Sequence, residues 1–252
     1  MSKTLTTRIE SYDVAPDGTV RLSALFKIFQ KIAGDDLDSC GLTYNRLRDE
    51  GVVFVLTKMI IRFFDDINVY DDITIITRPR GCKGAIYVRD YDLYKNGIRV
   101  AYCTSQWVII DFNTRKILRP STIAEKFLLK DDLENIYPIE NKKFKLVCDD
   151  MQSADVRKVY YSHMDRNRHM NNTFYPDIVL DYLPDCYKGS YTGKTVTIHY
   201  TTEITCGEEM EIYTGEFEGS FALMAVNTNN GKEVFSALVQ GPTPETPMCS
   251  ME

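Results

Sequence analysis

One order of elements occurs twice along this chain: a short lead strand, an amphipathic helix, then four strands separated by turns. No other feature narrows the possible folds so far. In the first round, "RLSALFKIFQKIAG" sets Leu25, Ile28, Phe29, Ile32 and Ala33 on one helical face, with Ser23 as the expected N-cap and Gly34 as the stop. The strands that follow read "VVFVLTKMIIRFF", "DDITIITRPR", "GAIYVRDYDLYKNG" and "IRVAYCTSQWVIID". Asn96-Gly97 joins the last two as a hairpin, because Asn-Gly accepts the positive φ of a type I′ turn.

In the second round, Phe174, Ile178 and Tyr182, with Tyr175, Val179 and Leu183, form the apolar face of a helix that Asn171 or Asn172 would cap and Pro184 would end. Then come "KTVTIHYTTEIT", "EEMEIYTGEFE", "SFALMAVNTNNG" and "KEVFSALVQG", with a second Asn-Gly turn at Asn230-Gly231. Laying Ser23 on Asn171 offsets the rounds by 148 positions, whereas laying Asp71 on Glu208 offsets them by 137. The first round therefore holds 11 residues more (148 − 137), in the region of "SCGLTYNRLRDEG".

A helix wrapped by a curved antiparallel sheet, present twice, is an α+β double hotdog. The expected first repeat is 1–112, a charge-rich linker with Pro120 and Pro138 follows at 113–154, and the second repeat is 155–245. An α+β domain without duplication is the alternative.

A net charge of −6, with 30 basic residues scattered among 36 acidic ones, argues against a nucleic-acid partner. "MSKTLTTRIESYDV" lacks the apolar run of a secretory signal, and no segment is long and apolar enough to cross a bilayer, so a cytoplasmic protein without stable membrane insertion is expected. Seven cysteines without a Cys-x-x-Cys pair read as reduced thiols, mostly packing residues. His163 and His169 do not have a metal-binding spacing, and no metal is expected.

Chemistry concentrates in "DRNRHMNNTFYPDIVLDYLP". The 148 offset lays Asp165, Asn167 and His169 over Asp17, Thr19 and Arg21, so the Asp persists while the Asn and His do not, as for one working site and one lapsed site. The alternation sends the three side chains to one side of an extended segment, just ahead of a helix N-terminus that favours an oxyanion. On the strand "IHYTTEIT", Glu203 shares a face with His199 and Thr201, opposite Ile198, Tyr200, Thr202 and Ile204. A partly desolvated carboxylate there would act as base or nucleophile, and the 137 offset puts Asp66 at its counterpart. Residue by residue, plainer roles stay open: helix caps for the Asp and Asn, a structural histidine, a solvent-facing Glu. Cys206 reads as a nucleophile or, on a strand, as packing.

"DRNRHMNNTFY" resembles the Asp-x-Asn-x-His-x-Asn-Asn-x-x-Tyr stretch of acyl-acyl carrier protein thioesterases, the double-hotdog enzymes of plant plastids and bacteria. "TSQWVIIDFNTRKILRP", Thr104 to Pro120, resembles the Trp-containing segment that ends their first hotdog. The resemblance runs from Thr4 to Gly241, and without a transit peptide or apolar anchor the chain looks like the bacterial form. It implies hydrolysis of fatty acyl-acyl carrier protein with Asp165, Asn167, His169 and Glu203 catalytic, Glu203 as base or nucleophile, the others orienting it and stabilising the oxyanion, and no cofactor. Plant members carry Cys directly after the Glu, where this chain has Ile204, which weakens a cysteine mechanism.

The acyl chain would lie in the first repeat, with Phe26, Phe29, Phe54 and Met59 as walls, each equally explained as core. The acidic carrier protein would dock near Arg166 and Arg168, or on Lys142, Lys143 and Lys145. An acyl-CoA thioesterase and a non-catalytic acyl-chain sensor are the rivals. A hotdog dehydratase is disfavoured by the lack of His-x-x-x-x-Pro-Gly. The fused pair would serve as a monomer or a homodimer.

Overall fold

The computed structural model describes residues 2–119 and 144–241. Within them the duplicated order is present. The first repeat has β1 (Lys3–Arg8), α1 (Leu22–Ser39), α2 (Tyr44–Asp49), β2 (Val52–Phe63), β3 (Asp72–Lys83), β4 (Ile86–Lys95) and β5 (Ile98–Asp111). The second has β6 (Gln152–Lys158), α3 (Tyr175–Tyr182), β7 (Thr195–Tyr200), β8 (Glu209–Phe217), β9 (Ser220–Asn227) and β10 (Glu233–Gln240). All ten strands form one antiparallel sheet in the order β1-β3-β4-β5-β2-β7-β10-β9-β8-β6, so the halves join where β2 meets β7, with Met59 opposite Ile198. This is the expected double hotdog.

Apolar side chains at helical spacing put Leu22, Leu25, Phe26, Phe29, Ile32 and Ala33 of α1 in the core, where Phe29 stacks on Tyr91 of β4 at 4.6 Å. In α3, Tyr175, Ile178 and Val179 are buried, and Tyr175 packs edge-on against Phe235 at 4.8 Å. One apolar cluster runs through both halves, so the two repeats share a core.

Several local expectations need correction. Ser23 is not the N-cap of α1. The helix begins at Leu22 after an extended Arg21, whose N–H is held by the Asp13 carbonyl at 2.8 Å, and Ser23 is buried inside. Gly34 does not stop α1, because Asp36 and Leu37 continue the inward face, and the ion pair of Asp36 with Arg89 at 2.8 Å helps offset the roughly 1 kcal/mol that a helical glycine costs. Asn96 and Gly97 both have positive φ, as a type I′ turn requires, but Asn230 does not, and β9 and β10 are joined by a longer loop. Of the cysteines, Cys103 is buried while Cys40, Cys186 and Cys206 are exposed, so packing is not their general role. Part of 113–154, with Pro120, Pro138, Lys142 and Lys143, lies outside the described residues, as do Cys249 and everything after 241.

The offset between the repeats is also corrected. Matching isolated bridges, Val14 with Val20 and Met164 with Met170, are 150 positions apart, not 148. Val20 N–H bonds to the Ile67 carbonyl and Met170 N–H to the Ile204 carbonyl, which keeps 137 for the later segment. His169 therefore corresponds to Thr19, Asn167 to Asp17 and Asp165 to Ala15. None of the three persists.

Candidate active site

The segment from Asp165 to His169 is a tight turn rather than an extended stretch. Asp165 causes this: its Oδ1 accepts the N–H groups of Asn167 at 2.7 Å and His169 at 3.3 Å, while its own N–H bonds to the His169 carbonyl at 2.9 Å. A short acceptor that captures amides two and four residues ahead pulls the chain around. Arg168 completes the turn at φ 64°, where the first repeat has Gly18 at φ 88°. Nor does His169 lie beside a helix start, since α3 begins at Tyr175. The intervening Thr173 and Phe174 N–H groups are taken by the side chain and carbonyl of Asn171, each at 3.0 Å.

Glu203 is on a loop, not on a strand. β7 ends at Tyr200 because the Thr201 and Thr202 N–H groups both turn to one acceptor, the Val234 carbonyl, at 2.9 and 3.1 Å. The chain then swings so that Ile204 is buried and its carbonyl accepts Met170 N–H at 3.0 Å. That bond ties the two loops together and puts Glu203 Oε2 3.3 Å from His169 Nε2. His199, the expected neighbour of Glu203, stacks on Phe144 at 4.3 Å and does not line this site.

The four expected residues meet in a cavity of about 90 Å³, with Val53 to Leu56 of β2 as the opposite wall. A bulge in β2 between Leu56 and Lys58 makes this wall. Pairing with β7 covers Lys58 to Arg62, and the stretch before the bulge stays on β5 alone and faces the cavity. The Tyr175 phenol, also in the wall, is pushed above its ordinary range by burial and then by the charges of Glu203 and Asp165, which keeps it protonated.

Two side chains that touch the expected residues were missed by sequence reasoning. Arg115 pairs with Glu203 Oε2, so the carboxylate is ion-paired and partly exposed instead of desolvated. Its place is set by a turn after β5, where Asp111 gathers the N–H groups of Asn113 and Thr114 and the Thr114 hydroxyl. The signal was present, because Arg115 lies inside "TSQWVIIDFNTRKILRP". The other is Tyr44 of α2, whose hydroxyl donates to Asn167 Oδ1 at 2.7 Å. It sits in the surplus residues of the first repeat, where no periodicity points to it.

A second, apolar cavity of about 300 Å³ lies between α1 and the sheet, walled by Ala33, Leu37, Phe54, Tyr87, Val88 and Trp107. Phe54 borders both cavities. Phe26, Phe29 and Met59 are core residues around a narrow gap that shares Leu56 with the first cavity and Trp107 with the second. Arg166 and Arg168 are exposed on the turn, with Arg166 lying over the Tyr44 ring at 4.2 Å. Cys206 is exposed and does not line the site. Among the described residues, no cluster of three or more His, Cys, Asp or Glu side chains suits a metal ion, and no helix is long and apolar enough to cross a membrane.

Comparisons with known proteins bear on the family and the fold. The sequence profile described as acyl-ACP thioesterase N-terminal domain matches residues 3–127, and that of the C-terminal domain matches residues 148–240. Oleoyl-acyl carrier protein thioesterase 2, chloroplastic, of Arabidopsis thaliana is 22% identical over 212 residues, which cover 77% of this chain and 58% of that protein. The chain thus spans less than two thirds of that curated relative. Among solved structures, an acyl-ACP thioesterase from Bacteroides thetaiotaomicron superposes with a TM-score of 0.79 at 21% identity, covering 94% of this chain and 96% of the other. The 12:0-ACP thioesterase from Umbellularia californica gives 0.77 at 19% identity, covering 96% and 98%. At such identities the likeness of structure establishes the fold.

Proposed function

This chain belongs to the acyl-ACP thioesterase family, whose two domain profiles it matches in turn, and from that membership we propose that it hydrolyses the thioester of fatty acyl-acyl carrier protein. The products would be a free fatty acid and the carrier thiol, ending fatty-acid synthesis. The observation that carries this reading is the 3.3 Å contact of His169 with Glu203, in a cavity that shares Phe54 with the apolar one.

Thioester hydrolysis needs an activated oxygen nucleophile and support for the oxyanion, because a thiolate leaves readily. Glu203 fills the first role. As a base, its carboxylate takes a proton from water as the water oxygen adds to the thioester carbonyl, the C–S bond breaks, and the departing thiolate takes that proton. As a nucleophile, it adds to the carbonyl itself, the C–S bond breaks to leave an acyl-enzyme anhydride and a thiolate that takes a proton from solvent, and water then hydrolyses the anhydride. His169 and Arg115 hold the Glu203 oxygen in place, and the Asn167 amide donates to the developing oxyanion. Asp165 acts through the backbone by closing the turn.

In this reading the second repeat carries the chemistry and the first carries the acyl chain, which passes Phe54 into the cavity against α1. Arg166 and Arg168, exposed beside the site, suit the acidic carrier protein. The test is hydrolysis across acyl-carrier-protein and acyl-CoA substrates of several chain lengths, with His169→Ala as control. Fast, His169-dependent release from the carrier protein is expected. Preference for acyl-CoA would move the substrate to the other carrier, and binding without turnover on either would make this an acyl-chain sensor.

A further inference from the structure

We propose that Tyr44 and Arg48 of α2 are positioning residues that fix the amide of Asn167, so that the first repeat sets the oxyanion donor of the second. The proposal rests on the thioesterase reading of the site. Its geometry is independent of that reading. Arg48 Nη1 donates to the Tyr44 hydroxyl at 2.9 Å, and the Tyr44 hydroxyl donates to Asn167 Oδ1 at 2.7 Å.

The direction of this relay follows from the chemistry of its members. A guanidinium has only donors, so the Tyr44 oxygen must accept from Arg48, and the phenolic proton then needs an acceptor of its own. The carbonyl branch of Asn167 is that acceptor. Its NH₂ branch is left to serve the cavity that Asn167 lines. An asparagine without such a partner can turn over and present its carbonyl to a developing negative charge, which would repel it. The relay removes that choice.

The placement of α2 supports the same role. Thr43 caps the helix by accepting Arg46 N–H at 3.3 Å, and Tyr44 and Arg48 stand one turn apart on one face. Each is braced from outside its helix: Arg166 lies over the Tyr44 ring at 4.2 Å, and Arg48 lies over the Phe112 ring at 4.6 Å. Phe112 itself lines the site. The second repeat has only a 3-10 turn at Asp185–Tyr187 between its helix and β7, so its counterpart of α2 is missing. The surplus residues of the first repeat thus reach across to the turn of the other repeat and hold its asparagine.

The experiment is Tyr44→Phe, which keeps the ring under Arg166 and removes only the hydroxyl. We expect kcat to fall about tenfold, the size of one well-placed hydrogen bond, with KM and Tm unchanged. In an Asn167→Ala background, where nothing is left to position, Tyr44→Phe should cost nothing further. A second readout needs no turnover: the side-chain amide NMR signals of Asn167 should be sharp and slow to exchange in the wild type and broadened in Tyr44→Phe. An unchanged kcat, a loss that adds fully to Asn167→Ala, or a fall in Tm that tracks the fall in kcat would each overturn the proposal. If the wild type cleaves no acyl thioester, the functional reading fails while the amide signals still decide the relay.

Discussion

The two repeats place an acid at the same point of the fold and use it in opposite ways. Asp66 and Glu203 are 137 positions apart, each just before the isoleucine whose carbonyl holds the turn of its own repeat. Asp66 Oδ1 accepts the Ser190 hydroxyl at 3.0 Å and the N–H groups of Tyr191 at 2.7 Å and Thr192 at 3.0 Å. Three structural donors thus converge on that one oxygen. The segment that would treat Glu203 alike is Val53 to Val55, but these residues are in β2 and pair with β5. Glu203 is left to Arg115 and His169, and faces a cavity. Two copies of one backbone thus diverge not through the acid itself but through what the opposing segment does with its amides.

The largest effect that would break this comparison is at Glu203. Glu203→Ala should lower kcat by about a thousandfold or more, as for removal of a base or nucleophile, while the circular dichroism spectrum and Tm hold. Near-normal turnover would mean that both acids are structural.

The repeat order and most strand positions were legible because alternation, and between β4 and β5 the Asn96-Gly97 turn, mark them whatever the tertiary context. The site was legible in composition but not in shape. Thr201 to Ile204 alternate like a strand, and only the shared Val234 acceptor, a tertiary fact, ends β7 at Tyr200. The offset slipped by two because Ser23 looks like a cap yet lies inside α1. The better landmark, a turn residue at positive φ, is Gly18 in one copy and Arg168 in the other. An arginine in that conformation gives no signal. Tyr44 was out of reach, because a partner 123 positions away leaves no local pattern.

Asp66 sharpens the comparison from the other side. Burial alone would raise its carboxyl, but the bonds from Ser190, Tyr191 and Thr192 outweigh that and hold it below the usual carboxylate range. A depressed folded pKa means that its stabilisation is present above the unfolded value near 3.8 and is lost as pH falls through the folded one. Asp66→Ala should therefore cost about 2 kcal/mol at neutral pH, lowering Tm by roughly 4–8 °C, with turnover per folded molecule unchanged. A loss of kcat without a loss of Tm would show that the first repeat keeps chemistry of its own.

A smaller effect separates Glu203 from His199, the residues expected on one face. Burial, and then the charge of Lys58, bring His199 down to about 4, so it is neutral in the fold while the unfolded chain takes up a proton near 6.5. Stability should then decline as pH drops from about 6.5 toward 4, by about 1 kcal/mol between pH 7 and pH 5 after discounting for solvent screening. His199→Phe should remove that part of the slope in Tm against pH and leave kcat at neutral pH alone. A change in kcat would put His199 back beside Glu203.

The smallest effect is expected at Cys206, and it bears on which atom attacks. A cysteine nucleophile in the position after Glu203 is ruled out by Ile204, which is fully buried. Cys206, two residues on, is exposed, and the loop between is held by the Ile204 carbonyl on Met170 and by the Thr205 N–H and hydroxyl on Glu208, at 2.6 and 2.8 Å. Bringing the thiol to the cavity would break those bonds, whereas Glu203 is already there. Cys206→Ala should keep kcat within about twofold, since a surface substitution away from the site shifts energies by no more than about 0.5 kcal/mol. A thousandfold loss would make the thiol the nucleophile and reduce Glu203 to what Asp66 is, an acid held for its hydrogen bonds.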